Sequence, residues 1–222
     1  MAALHGQGVL VTRPLGQQEA LARSLTNAGA RVISFPVIEI VPRARAVIET
    51  EAAALAPADI SIFVSANAVK HGIDFGTGRI AAIGPATAAA IAEAGKNVDL
   101  AAGSGFSSED LLGIDALHAV SDTTVRIIRG SRGRELLAQT LTSRGARVQY
   151  LGVYDRRLPM HSEAEIERLC TAWQAGAIEV IVVMSVESFD NLVKLLPDSV
   201  LPGLNEARLV LSLIHISEPT RQ

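Results

Sequence analysis

Short apolar runs alternate along this chain with stretches whose apolar positions recur every three or four residues. The runs read as buried strands and the three-to-four spacing as amphipathic helix. Gly8-Val-Leu-Val-Thr12 predicts a strand that stops at Arg13-Pro14. Leu21, Leu25 and Ala28 then mark a helix closed by Gly29, and Arg31-Val-Ile-Ser-Phe35 is the next strand. Pro36-Val-Ile-Glu-Ile-Val-Pro42 is extended and bracketed by prolines. A helix is expected at residues 48–55, a strand at 60–64, a helix from Asn67, a strand at 79–83, a helix at 87–94 and a short strand at 98–100. Ser107-Ser-Glu-Asp110 caps a helix through Leu111 and Leu112. A strand at 125–128, a helix from about 134 to 144 and a strand at 148–151 follow, the last running into Gly152-Val-Tyr-Asp-Arg-Arg-Leu-Pro159. Ser162-Glu-Ala-Glu165 is a capping box that opens a helix through Trp173. Alternating strands and helices predict an α/β fold of parallel sheets covered on both faces, with ligands at the carboxyl ends of the strands.

The pattern occurs twice. Residues 9–32 align without a gap to residues 125–148, sharing Val9/Val125, Arg13/Arg129, Glu19/Glu135, Leu21/Leu137, Leu25/Leu141 and the run Gly29-Ala-Arg-Val32/Gly145-Ala-Arg-Val148. Asp59-Ile-Ser-Ile-Phe-Val-Ser65 is echoed by Glu179-Val-Ile-Val-Val-Met-Ser185. A repeat this long exceeds a solenoid unit of roughly 20–50 residues. It predicts two similar parallel-sheet lobes from an internal duplication, facing each other across a cleft. The proline-flanked segments sit at equivalent repeat positions and are expected to cross between lobes. Residues 1–36 plus 158–210 would form one lobe, incomplete at its carboxyl end, and 42–152 the other, with 36–42 and 152–158 as a two-stranded linker.

After Val210 the pattern breaks. Leu211-Ser-Leu-Ile-His-Ile-Ser-Glu-Pro-Thr-Arg-Gln222 resembles translated sequencing-adaptor read-through, and residues 211–222 are expected to be a non-native tail.

Composition narrows the function. The chain is 49% apolar but 4% aromatic, which suits cores of Ala, Val, Ile and Leu. With 20 basic and 23 acidic residues the net charge is −3, and no basic stripe interleaved with aromatics appears, so nucleic acid is not an expected partner. Cys170 is the only cysteine, which excludes a disulfide framework within the chain and reads as a small core residue. The five histidines lack ligand spacing, so no metal is expected. Gly76-Thr-Gly78, Gly103-Ser-Gly105 and Gly130-Ser-Arg-Gly133 lack the spacing of a dinucleotide or P-loop signature and read as turns. No apolar run is long enough to cross a membrane. A cytoplasmic protein is expected.

Leu10-Val-Thr-Arg-Pro14, Phe63-Val-Ser-Ala-Asn-Ala-Val69, Ala82-Ile-Gly-Pro-Ala-Thr87, Arg129-Gly-Ser-Arg-Gly-Arg134 and Val153-Tyr-Asp-Arg156, in this order, resemble the uroporphyrinogen-III synthase family. The likeness spans residues 9 to about 210. It implies two α/β lobes joined by a two-stranded linker, and a monomer that needs no cofactor. The implied reaction converts hydroxymethylbilane, a linear tetrapyrrole, to uroporphyrinogen III: the terminal hydroxyl leaves as water and the ring closes with ring D inverted through a spiro intermediate. Such a site needs a proton donor and a grip on both chain ends.

The resemblance implies Tyr154 as that donor, and a phenol, with an ordinary pKa near 10, carries its proton at neutral pH. A tyrosine packing a lobe on the linker is the alternative. Gly84-Pro85-Ala86-Thr87 forms a strand-to-helix turn, whose backbone N–H groups and dipole favour an anion such as one of the substrate's eight carboxylates. Thr87 is equally readable as an N-cap. The resemblance also implies Ser65 and Ser185 as carboxylate contacts, though both read as helix caps, and Met184-Ser-Val-Glu-Ser188 departs from the family's Thr-Ser-Pro-Ser-like string. Arg13, Arg129, Arg132 and Arg134, in the loops after the first strand of each half, could fork onto carboxylates or stay solvated. A non-catalytic two-lobe binding protein for a small anionic metabolite, or an inactive fragment of a synthase, remains open on the sequence.

Overall fold

The structure is a computed structural model that describes residues 3–103, 107–133, 135–201, 204 and 207–211. It divides into two compact units. One comprises residues up to 40 together with those from 157 onward, and the other residues 41–156.

The first unit is built on a four-stranded parallel sheet. Its first two strands are β1 (Gly8–Val11) and β2 (Arg31–Ser34), which flank the helix α1 (Glu19–Asn27); β3 (Glu39–Pro42), a strand of the other sheet, then leads into α2 (Arg45–Ala54). In the second unit follow β4 (Ile60–Phe63), α3 (Ala66–Gly72), β5 (Arg79–Ala82), α4 (Pro85–Glu93), β6 (Leu100–Ala101), α5 (Ser108–Leu112), β7 (Thr124–Gly130), α6 (Leu136–Ser143) and β8 (Arg147–Arg157). The chain then returns to the first unit through α7 (Glu163–Gln174), β9 (Val180–Val183), α8 (Val186–Leu195) and β10 (Arg208–Leu211). Sheet order is β10-β9-β1-β2 in one and β3-β8-β7-β4-β5-β6 in the other. Each sheet therefore combines strands from both copies of the repeat.

Every strand pair with a defined register in either sheet is parallel. The burial of both faces follows. All four residues of β1 and of β4 are buried, and all seven of β7. Period-2 alternation sends Leu10 into a core with Phe35, Leu169, Trp173, Ile181 and Leu192. Val9 and Val11 pack on the opposite face with Ala30 and Val182, against Leu21 and Leu25 of α1. In the other unit Ile60, Ile62, Val125 and Ile127 join Leu111, Leu137 and Leu141 beneath α5 and α6.

The repeat persists in helix-end chemistry. Gly29 has φ +89° and Gly145 φ +88°, the left-handed region that glycine enters without steric cost. Ala30 N–H donates to the Leu25 carbonyl and Ala146 N–H to Leu141, both at 3.0 Å, while Gly29 and Gly145 N–H reach Thr26 and Thr142, both at 2.9 Å. Both ends are Schellman motifs. The capping boxes expected at Ser107 and Ser162 are present, with Asp110 and Glu165 reaching back to the cap backbone.

Several boundaries differ from expectation. β8 does not stop at residue 151 but continues to Arg157, because β7 lies on one side of it and β3 on the other. Arg129 is consequently a residue of β7, not of the loop after it. β6 occupies Leu100–Ala101 instead of 98–100, and α6 starts at Leu136. Arg134 and residues 212–222 lie outside the described residues.

Candidate active site

In the second unit the chain runs β4, β5, β6 outward on one side of β4 and then crosses back to place β7 and β8 on the other. The order of strands reverses between β4 and β7. Open α/β sheets bind ligands beyond the carboxyl ends of their strands at such a point. Ser65 follows β4 there, Gly130 ends β7, and Tyr154 lies in β8 beside it.

A β-bulge places the phenol. Arg129 pairs with Gly152, but Gly130 pairs with Tyr154, so Val153 is an extra residue on β8. In a regular strand, consecutive side chains leave on opposite faces. Here both turn toward α3. A Cβ on Gly72 of that helix would fall 2.9 Å from a Val153 methyl. The Tyr154 ring sits 6.3 Å from that of His71, and its hydroxyl 3.2 Å from the Ser65 Oγ. Arg43 fixes the bulge by donating to the Gly152 carbonyl at 2.7 Å, while both its terminal nitrogens grip Glu51. Ser131 N–H donates to the Tyr154 carbonyl at 2.9 Å, and its hydroxyl bonds Asp155. Tyr154 is 6% exposed. Gly130 lies under the ring: a Cβ there would meet Cε2 at 2.9 Å and Cζ at 3.0 Å.

Ser65 is also the N-cap of α3, accepting the Ala68 N–H at 3.1 Å. Burial, and then the neighbouring Lys70 charge, hold the His71 imidazole below its ordinary pKa. At the start of α4 the expectation that Thr87 caps the helix is corrected. Gly84 occupies the N-cap with no side-chain bond, Pro85 is the first helical residue, and Thr87 is buried two positions on. Thr87 and Ala88 N–H both reach the Gly84 carbonyl. Pro85 and Ala86 are exposed, so this helix start is open to solvent.

Arg129 is engaged where the sequence left it free. It is 7% exposed, donates to Glu135 at 3.1 Å and lies 4.7 Å from the centre of the Tyr150 ring. Tyr150 in turn bonds Glu135, and burial together with that carboxylate pushes its phenol up to about 12. Arg132 is exposed. Arg126, the other arginine buried in β7, donates to the Phe75 and Ala56 carbonyls at 3.0 and 2.9 Å and belongs to the opposite end of the strand.

In the first unit Arg13 follows β1 half-buried, and Ser185 caps α8, accepting the Ser188 N–H at 3.1 Å. No phenol accompanies them. At the 116-residue offset of the repeat, Ile38 stands where the other copy has Tyr154, and it is a core residue. This unit does hold a cavity of about 840 Å³, lined by Phe35, Pro36, His161, Arg168 and others. Neither Arg13 nor Ser185 contributes to it. Its histidine is stacked on Phe35 at 4.0 Å with Nε2 2.8 Å from the Pro36 carbonyl oxygen, and neither Tyr154 nor Ser65 is among the residues that line it. Among the described residues no three His, Cys, Asp or Glu side chains gather as metal ligands, and no helix is long and apolar enough to cross a membrane.

Sequence reasoning missed the bulge, the space that Gly130 leaves for the phenol, the contact of His71 and the Arg129–Glu135–Tyr150 group. Gly130 carried the one available signal, but a glycine in a Gly-Ser-Arg-Gly string reads first as a turn.

Comparison with known proteins gives a consistent answer. The family described as uroporphyrinogen-III synthase HemD matches residues 19–221. The uroporphyrinogen-III synthase of Escherichia coli K12 is 32% identical over 199 residues, covering 85% of this chain and 80% of the relative. Among solved structures, a mutant uroporphyrinogen III synthase of Thermus thermophilus superposes with a TM-score of 0.61 at 20% identity, covering 93% of this chain and 84% of the other. The enzyme from Helicobacter pylori 26695 superposes at 0.59 with 12% identity, covering 92% and 83%. At such identities these two likenesses speak to the fold.

Proposed function

This chain belongs to the uroporphyrinogen-III synthase family and is a cyclising lyase of heme biosynthesis, and we propose that Tyr154 supplies the proton on which its reaction depends. The substrate is hydroxymethylbilane. The phenol proton passes to the terminal hydroxyl, the C–O bond breaks with its electron pair on oxygen, and water departs. Electrons from the adjacent pyrrole nitrogen stabilise the carbon left behind, giving an azafulvene-type electrophile. The substituted carbon of ring D attacks it, the spiro intermediate rearranges, and the proton lost on restoring aromaticity returns to the phenolate. General acid assistance of this kind is worth about 10²–10⁴ in rate.

The observation that carries this reading is the bulge-placed phenol beside a hydroxyl at the strand-order reversal of its sheet. Around it, the open start of α4 at Gly84, Pro85 and Ala86 presents the positive end of a helix dipole suited to a substrate carboxylate. Thr87 contributes by packing that turn. Arg132 and Arg13 are exposed or half-buried cations and serve as carboxylate contacts, as does the Ser185 hydroxyl. Arg129 acts indirectly, by holding the chain beyond β7 through Glu135. The same reading has the enzyme acting as a monomer in the cytoplasm, in keeping with its single cysteine and net charge of −3.

Incubating the protein with hydroxymethylbilane and separating the product isomers tests the reading. Uroporphyrinogen III in excess over the spontaneous isomer I is expected; isomer I alone would reject it.

A further inference from the structure

We propose that Ser65 is a positioning residue for Tyr154, donating its hydroxyl proton to the phenol oxygen so that the phenol's own proton is directed away from the protein. This deepens the reading above and rests on Tyr154 being the acid.

A serine hydroxyl has one proton to give and two lone pairs. Ser65 Oγ already accepts the Ala68 N–H at 3.1 Å, a bond that α3 needs at its start. Its remaining polar partner among the described residues is the Tyr154 oxygen at 3.2 Å. Donation toward Tyr154 leaves the serine proton satisfied and the phenol proton unspent. The reverse arrangement would spend on the serine oxygen the proton that the reaction requires, so the two arrangements differ in which hydroxyl proton stays available.

The helix supports the same polarity. The Ala68 N–H belongs to the first turn of α3, where backbone dipoles make the serine oxygen electron-poor and its proton a better donor. When the phenol gives up its proton, the phenolate meets a donor already aimed at it, a charge-assisted bond stronger than the neutral one it replaces. Ser65 thus binds the product of proton transfer more tightly than the reactant. That is the condition for a residue to speed the step rather than tighten binding. The bulge that turns Tyr154 toward α3 and the cap that fixes Ser65 converge on one pair of oxygens 89 residues apart in sequence.

Three substitutions separate this role from capping. Ser65→Thr keeps both the cap and the donor and retains activity. Ser65→Ala loses both: kcat falls about tenfold with KM little changed, together with some thermal stability. Ser65→Asp caps α3 as well as serine does but can only accept from the phenol, so it keeps the stability while kcat falls at least as far as in Ser65→Ala. An aspartate variant with parental kcat would overturn the proposal, as would an alanine variant whose loss lies wholly in KM.

A second arm needs no turnover. The chain has two tyrosines, so Tyr150→Phe leaves Tyr154 as the only phenol. The intensity ratio of the paired tyrosine ring bands in Raman scattering distinguishes a hydroxyl that accepts a hydrogen bond from one that donates. Tyr150→Phe is expected to show an accepting phenol, and the double variant with Ser65→Ala to lose that signature. A donating phenol in Tyr150→Phe, or no change on removing the serine hydroxyl, contradicts the inference. If the parent yields isomer I alone, the enzymatic reading falls, while the Raman comparison still decides the hydrogen bond.

Discussion

Tyr154 owes its position to neighbours that carry no chemistry of their own in the reaction. Gly130 matters for the side chain it lacks: a methyl there would press on Cε2 and Cζ from 2.9 and 3.0 Å. Gly130→Ala should therefore push the hydroxyl off its place, and displacements of that order cost about 10²-fold in rate when they misalign a reacting group. Isomer III formation by this variant, measured beside its thermal melt, is expected to fall far more than its stability. His71 is a further neighbour of the ring, tilted at 52° with its centroid 6.3 Å away. Burial lowers the pKa of its imidazole, with the Lys70 charge adding to the effect. The folded state thus resists a proton that the unfolded chain accepts as pH drops below about 6.5. Stability is expected to decline as pH falls through that region, and His71→Gln should flatten this part of the curve; denaturant titrations across the range read it directly.

At the scale of elements, the two Schellman ends at Gly29 and Gly145 are the same device used twice. Either glycine replaced by alanine puts a Cβ into left-handed backbone, at a cost of about 1–2 kcal/mol. Gly145→Ala should lose more, because its Cβ would also sit 3.1 Å from the Ser121 Oγ and 3.2 Å from its Cα. Chemical denaturation of the two variants measures the difference. Such helix ends, the capping boxes at Ser107 and Ser162 and the alternating strands were legible in the sequence because each depends on residues a few positions apart. The bulge was not. It arises where β8, carried past residue 151 between β3 and β7, pairs Gly130 with Tyr154 across a register shift, and no local pattern in Gly152-Val-Tyr-Asp155 records that pairing. For the same reason Arg129 read as a free cation. Its partners Glu135 and Tyr150 are evident only once β7 and β8 lie side by side. Thr87 read as a cap since the residue that takes that place, Gly84, has no side chain to announce it.

Taken as a whole molecule, the chain shows how a duplicated frame acquires a single chemistry. Both sheets reverse strand order at equivalent places, between β4 and β7 in one and between β1 and β9 in the other, and both reversal points carry a serine cap, Ser65 or Ser185. Only one has a phenol; Ile38 fills the corresponding place in the core of the other unit. The strand-order reversal and the serine cap are thus shared by both sheets, and the phenol is not. On the reading proposed above, this one phenol accelerates formation of uroporphyrinogen III. That acceleration is tested most directly by the initial rate of isomer III from hydroxymethylbilane in the parent and in Tyr154→Phe, with the folded state of each checked by thermal melting. The rate is predicted to fall by about 10²–10⁴ in the phenylalanine variant, with isomer I accumulating in its place and the melt nearly unchanged. A well-folded Tyr154→Phe protein that makes isomer III at the parental rate would contradict the account.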